Sequence, residues 1–296
     1  MQREVSTTLA HIFALFTIIV WGTTFIASKI LLGAYSPLQI MLMRFVVAYI
    51  VLILLRPKFI KLPIKEEIKC MFLGLFGCTI YFLMENYALT YTLTSNVSII
   101  LAVAPILTAI LAHIFLPNEK LSKNIFLGFF IAIIGVALVV FNGTVVLKLN
   151  PVGDLLSIAA ALCWAIYSVI LKKQLGRIDG LLLTRRTMLW GFLTALPIEL
   201  IKGEAFHLAP LGEAKLLFCI LYLGILGSGI CYVLWNMATY KLGTVVTNNY
   251  IYLNPFSTMV AALIILKEPI SWMGFVGAAL IILGVFVGDH KKKETA

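Results

Sequence analysis

Two ionisable side chains stand inside stretches that are otherwise apolar. Arg44 lies in "SPLQIMLMRFVVAYIVLILL" and Glu85 in "YFLMENYALTY". A charge held in hydrocarbon costs roughly 2.5 kcal/mol or more, so such residues are kept for a reason. Glu85 reads as a partner for a cationic substrate group, or as a proton site. The plainer reading is a carboxylate at the membrane interface that reaches water. Tyr81 precedes it by one helical turn on the same face, and Asn86 follows it. Arg44 can pair with Glu85, meet a substrate carboxylate or anchor a helix. A structural charge, bridged or capping carbonyls, is the preferred reading for it.

Aromatic and amide side chains recur at matched positions. Trp21 and Thr24 sit at i, i+3, and Trp164 and Tyr167 repeat that spacing. Trp235 and Asn236 are adjacent, and the run "TNNYIYLNPF" supplies Asn248, Asn249 and Tyr252. Aromatic rings can sandwich an apolar or cationic ligand while amides orient it, which makes these residues candidates for substrate binding. Ordinary packing is the competing reading for any one of them. Pro105 and Pro255 fall in equivalent mid-span places, and each favours a kink by removing a backbone donor. They are candidates for gating, against the alternative of static bends.

Other chemistries find little support. The four histidines are scattered, and the five cysteines (70, 78, 163, 219 and 231) lie in or beside apolar segments without a paired spacing. No catalytic residue, metal site or cofactor is expected. The isolated aspartates, the lack of G-x-S-x-G and the lack of GxxxxGK[ST] argue against an intramembrane enzyme and against a built-in nucleotide site.

The elements that must position these residues are membrane helices. The chain is 61% hydrophobic and only 12% charged, against about 25% charged in an ordinary soluble domain. Lipid must therefore solvate most of it, and the fold class is an all-α integral membrane protein. Glycine, proline and short polar clusters divide it into ten spans near 9–32, 37–55, 68–89, 94–116, 122–141, 153–173, 180–201, 214–240, 244–266 and 271–289. The apolar runs are too long and too little alternating for a barrel. The first span is too long for a cleavable signal core.

The sequence also repeats. "LGLFGCTIYFLMENYA" from Leu73 is echoed by "LGILGSGICYVLWNMA" from Leu223, and Pro105 matches Pro255 at the same spacing of 150. Glu119, Gly128 and Gly135 match Glu268, Gly277 and Gly284 at 149. Two halves follow, 1–145 and 146–296. With five spans each, the second half enters the membrane from the opposite side, an inverted repeat of the kind that builds alternating-access carriers. Loop charge agrees. One side collects 15 Lys and Arg residues, and the other has only Lys148, Lys202, Lys215 and Lys267. That bias puts both termini in the cytoplasm and the protein in the cell membrane. The net charge of +10 lies in span-end clusters, so nucleic-acid binding is not expected. The seven-residue glycine repeats in spans five and ten suit close helix packing, as scaffold or as a dimer seam.

The stretch from Asn86 to Val140, its second copy from Asn236 to Val287, and "GDLLSIAAALCWAIYSVILKK" from Gly153 resemble the EamA family of the drug/metabolite transporter superfamily. The resemblance covers nearly the whole chain. It implies ten helices, cytoplasmic termini, and secondary transport of small metabolites, often export, through a cavity among spans one, three, four, six, eight and nine. The placing of Glu85, where the second half has Trp235, departs from the simplest family pattern. The expectation is a carrier of small metabolites such as amino acids, with Glu85 facing an amine. The alternative is an exporter of lipophilic or quaternary cations, exchanged for protons through Glu85. The partners expected are a small-molecule substrate, the bilayer and protons, in a monomer or homodimer.

Overall fold

The computed structural model describes residues 5–91, 97, 100–117, 119, 121–141, 150–203, 209–266 and 271–289. Glu268, Lys148, Lys267 and the basic tail lie outside them. The described residues are helical nearly throughout. The elements are α1 (Thr7–Leu31), α2 (Pro37–Leu55), α3 (Ile64–Tyr91), α4 (Ala104–Phe115), α5 (Lys123–Phe141), α6 (Pro151–Gln174), α7 (Gly180–Lys202) and α8 (Ala214–Leu242). Next comes α9, in which Thr244–Asn249, a tighter turn Tyr250–Leu253 and Asn254–Leu266 follow one another. The last is α10 (Trp272–Asp289). Five of these, α1, α2, α3, α6 and α8, are long and apolar enough to cross a membrane, and α4, α5 and α10 include shorter apolar helices. The chain is a multi-pass membrane protein.

Local sequence sets the helix ends. Ser36 and Gln39 form a reciprocal capping box at the start of α2, with Pro37 in its first turn. Asn150 accepts from Val152 and Gly153, and Asp179 accepts from Leu182, so α6 and α7 each start on a side-chain cap. Gly203 ends α7 in the left-handed conformation at φ 64°, where a glycine carries no steric penalty. The start of α9 is capped from a distance: Thr244 N–H donates to Glu119 Oε1 at 2.6 Å.

The helices pack in a reciprocal pattern. α1 lies against α8 and α9, while α6 lies against α3 and α4. α2 meets the middle of α8, and α7 meets α3; α2 and α7 also pack on each other. α5 and α10 form a separate tight pair. A Cβ on Gly135 would come within 2.6 Å of the Gly277 carbonyl, and one on Gly277 within 2.6 Å of the Gly135 carbonyl. The glycine repeat is therefore a seam inside the chain. At the loop after α2, Arg185 donates to the carbonyls of Arg56 and Lys58, both at 2.8 Å, and Arg186 to that of Ile60.

Two features break the regular helices where they matter. α3 widens into a π-helical stretch at Leu75–Ile80, and α8 does so at Tyr222–Ile230. These stretches are equivalent in the two copies, and π turns release carbonyls from the regular ladder. α4 starts at Ala104 with Pro105 in its first turn, after a non-helical turn at 102–103. Pro255 stands likewise just after the tight turn of α9.

Candidate substrate cavity

The breaks of α4 and α9 open on a central cavity of about 50 Å³, enough for a few waters. Its wall is made by Trp21, Thr24 and Phe25 of α1, Arg44 of α2, Tyr81, Phe82 and Glu85 of α3, Leu101 and Ala104 at the α4 break, Trp164 of α6, Tyr232 of α8, and Ile251 and Asn254 of α9. A smaller hollow bounded by Phe25, Leu101, Ala102, Ile251, Asn254 and Pro255 adjoins it.

The aromatic residues form one connected cluster. Trp21 meets Trp164 edge-on at 5.3 Å between centroids, and it also packs on Tyr232 at 5.5 Å and Trp235 at 5.0 Å. Tyr81 touches Trp164 at 5.4 Å. Rings at these distances present π faces and edges to whatever enters. Two of their polar tips are fixed by backbone. Trp21 Nε1 donates to the Gly227 carbonyl at 2.9 Å, and the Tyr232 hydroxyl donates to the Gly77 carbonyl at 3.0 Å. Gly77 and Gly227 are equivalent residues of the two π stretches. Each half thus lends a released carbonyl to an aromatic donor of the other half.

Arg44 and Glu85 supply the cavity's charge. The Arg44 guanidinium lies 4.2 Å above the Phe82 ring, and its Nε donates to Ser228 Oγ at 2.8 Å. No ion pair joins it to Glu85 among the described residues. Glu85 is 7% exposed, and Tyr81, which also lines the cavity, stands one turn before it on α3. Cation and carboxylate therefore present separate poles to the same space. Asn254 adds a buried side-chain oxygen without a partner among the described residues.

Six residues expected from the sequence reach this wall: Trp21, Thr24, Arg44, Tyr81, Glu85 and Trp164. The others stand behind it. Tyr167 packs on Trp164 and Tyr232, at 5.1 and 6.1 Å. Trp235 backs Trp21, and Asn236 donates to Thr184 at 2.8 Å. Asn248 positions a wall residue, because its Oδ1 accepts from Trp164 Nε1 at 2.8 Å. Asn249 faces Gly288 of α10, Tyr252 faces Phe129 of α5, and Asn86 is buried off the cavity. Pro105 also lies off the main wall, next to Ala104. Phe25, Phe82, Leu101, Ala104, Tyr232, Ile251 and Asn254 complete the wall without standing among the matched aromatics and amides of the sequence. Three pairs among them, Phe82 and Tyr232, Leu101 and Ile251, Ala104 and Asn254, are equivalent across the repeat at the same spacing of 150.

A helical bundle that crosses the membrane many times around a polar, aromatic-walled cavity defines the class of membrane carriers and channels. Comparison with known proteins narrows it. The profile of the EamA-like transporter family matches residues 8–141 and again 151–287, and the chain belongs to that family. An uncharacterized transporter of Bacillus subtilis, YyaM, is 30% identical, covering 94% of this chain and 91% of its own. A probable terminal-alkyne amino-acid exporter of Streptantibioticus cattleyicolor is 27% identical, covering 93% and 91%. A solved crystal structure superposes with a TM-score of 0.77 at 20% identity, covering 94% and 97% of the two chains, and shares the fold.

Proposed function

We propose that this protein is a secondary active or facilitative carrier that exports small amino-acid-like metabolites by alternating access through the central cavity. The observation that carries the reading is the cavity's pair of separated poles. Arg44 suits a substrate carboxylate, while Glu85 and the Asn254 oxygen suit an ammonium group. A zwitterion bridging them would satisfy both charges away from water. The relative from Streptantibioticus named as a probable amino-acid exporter supports the substrate class.

The reciprocal packing of α1 with α8 and α9, and of α6 with α3 and α4, supports two inverted five-helix repeats, 1–145 and 146–296. In this reading the ten helical elements all cross the cell membrane and both termini are cytoplasmic, as the loop charges require. The backbone breaks at Pro105 and Pro255 flank the cavity and serve as hinges by which each half opens in turn. The cavity must widen to take a substrate, and these breaks are where the helices can bend at least cost.

A second reading follows from the aromatic wall. Six aromatic side chains around one carboxylate also suit a lipophilic or quaternary cation, exchanged for a proton on Glu85. Counterflow in proteoliposomes separates the two. Vesicles are loaded with unlabelled amino acids or with unlabelled hydrophobic cations, and tracer uptake is followed at equal pH. Uptake driven by the amino-acid load, absent from empty vesicles, is the expected result. Uptake driven by the cation load alone would replace the first reading with the second.

A further inference from the structure

Among the described residues, four side chains of Asp, Glu, Lys or Arg are less than a tenth exposed: Arg44, Glu85, Arg185 and Glu199. The first two face the cavity, and Arg185 is spent on backbone carbonyls. Glu199 is left over. It lies in the last turn of α7, is 7% exposed, and neither of its carboxylate oxygens has a hydrogen-bond partner among the described residues. A buried carboxylate without a donor or a cation is costly, so a group from outside the chain is the natural complement.

Glu199 lines a trough of about 610 Å³ bounded by α2, α7, Gly203, Leu211 and α8. Apart from Glu199 its lining is aliphatic or aromatic, with one glycine; Met43, Val47, Leu196 and Ile220 are typical. The trough shares no lining residue with the central cavity. Its rim includes Val46, Leu200 and Leu217, which are 40%, 71% and 41% exposed. On a multi-pass membrane protein such a rim faces acyl chains, so the occupant comes from the bilayer. An occupant made only of hydrocarbon would fill the trough and leave the carboxylate unanswered.

We propose that the trough between α2, α7 and α8 is a binding site for a bilayer aminophospholipid, with its ammonium headgroup on Glu199 and its acyl chains along the apolar walls. The depth is right. Glu199 lies four residues before Gly203, where α7 ends, so the carboxylate sits near the headgroup level while Leu196 and Phe192 lie deeper. Lys215, exposed in the first turn of α8 at the same end, supplies a cation for the lipid phosphate. Charge complementarity at one point and apolar fit elsewhere select an ammonium lipid over an anionic one. The proposal does not depend on what the cavity carries.

Native mass spectrometry of the full chain tests it. Protein stripped of lipid in neutral detergent is titrated with phosphatidylethanolamine, phosphatidylcholine and phosphatidylglycerol of identical acyl chains. Phosphatidylethanolamine, which brings N–H donors, is expected to bind about 10-fold more tightly than phosphatidylglycerol, with phosphatidylcholine between them. Glu199→Gln is expected to erase that order. Equal binding of all three lipids, or an order unchanged in Glu199→Gln, overturns the proposal. A measurement on the unmutated protein guards against a variant that fails to fold. Phosphatidylethanolamine carrying a photoreactive acyl chain should crosslink preferentially at Leu196, Leu200 and Leu217. Labelling spread evenly around the bundle would also overturn it.

Discussion

The first five helices bring both charges of the central cavity, Arg44 and Glu85, together with the Tyr81 phenol; the second five bring Trp164, Tyr232, Ile251 and Asn254. At the repeat-equivalent positions the second half has Cys231 for Tyr81 and Trp235 for Glu85. Trp235 is fully buried and backs Trp21, so the site of a carboxylate in one copy is the site of a packing residue in the other. Symmetry of backbone is thus combined with asymmetry of chemistry. Under the proposed alternating access, a symmetric scaffold would let the cavity face either side with similar packing, whereas one-sided polarity would give a bound substrate a single orientation. That is a useful combination in a carrier, which must switch sides without losing hold of the same groups.

The largest expected effect breaks this asymmetry at its centre. Glu85→Gln removes the negative pole and keeps the shape. Losing a hydrogen bond to a charged group costs roughly 1.5–3 kcal/mol, so the initial rate of amino-acid counterflow at subsaturating substrate should fall by about 30-fold. Glu85→Trp copies the second half and should abolish counterflow, since an indole would also fill the space. If Glu85→Gln transports at the unmutated rate, the carboxylate is a structural or interface group. Proton exchange is tested in the same variant: a pH gradient that drives uptake in the unmutated protein should drive none in Glu85→Gln.

A second contrast lies in two equivalent glycines. A Cβ on Gly77 would overlap the ring of Tyr167, which is fully buried. A Cβ on Gly227 would meet the Thr24 methyl at 3.1 Å, the tip of Arg44 at 3.4 Å and the Tyr222 carbonyl at 3.9 Å. Gly77→Ala should therefore lower stability by about 1–3 kcal/mol, as overpacking does, and reduce the melting temperature in detergent. Gly227→Ala should melt near the unmutated protein while raising the KM for transport, because it nudges a charged wall residue. Equal melting temperatures for the two variants would mean that the π stretches are more pliable than their packing suggests.

Five long spans and the two family repeats were legible because hydrocarbon length and glycine and proline spacing are written directly in the sequence. The expected segment 68–89 became Ile64–Tyr91, and 214–240 became Ala214–Leu242, shifts confined to the ends. Arg44 and Glu85 stood out because a charge in an apolar run has few uses. Helix rotation was much less legible. In a soluble helix the polar face marks the outside, but here lipid and core are both apolar, so nothing in the pattern tells Phe82 from its neighbours. Asn249 and Tyr252 looked like site residues for their polarity, yet they turn to α10 and α5. The π stretches were not legible either, although the glycines that accompany them were seen.

The smallest effect concerns the carbonyls those stretches release. Gly77 O accepts from Tyr232 and Gly227 O accepts from Trp21, so one bond crosses the cavity wall in each direction between the halves. Tyr232→Phe deletes one bond and little volume. It should cost about 1 kcal/mol, the net worth of a hydrogen bond, seen as a modest fall in melting temperature. Trp21→Phe deletes the other bond but also ring contact with Trp164 and Trp235, so its loss should exceed that of Tyr232→Phe by a cavity term. The double variant decides what the pair does. If the two bonds act as independent struts, the losses add; the residues also pack on each other, which favours coupling. A double variant less destabilised than the sum would mean that the two π stretches yield together, as a shared hinge requires. Strict additivity would confine the hinge to the proline breaks of α4 and α9.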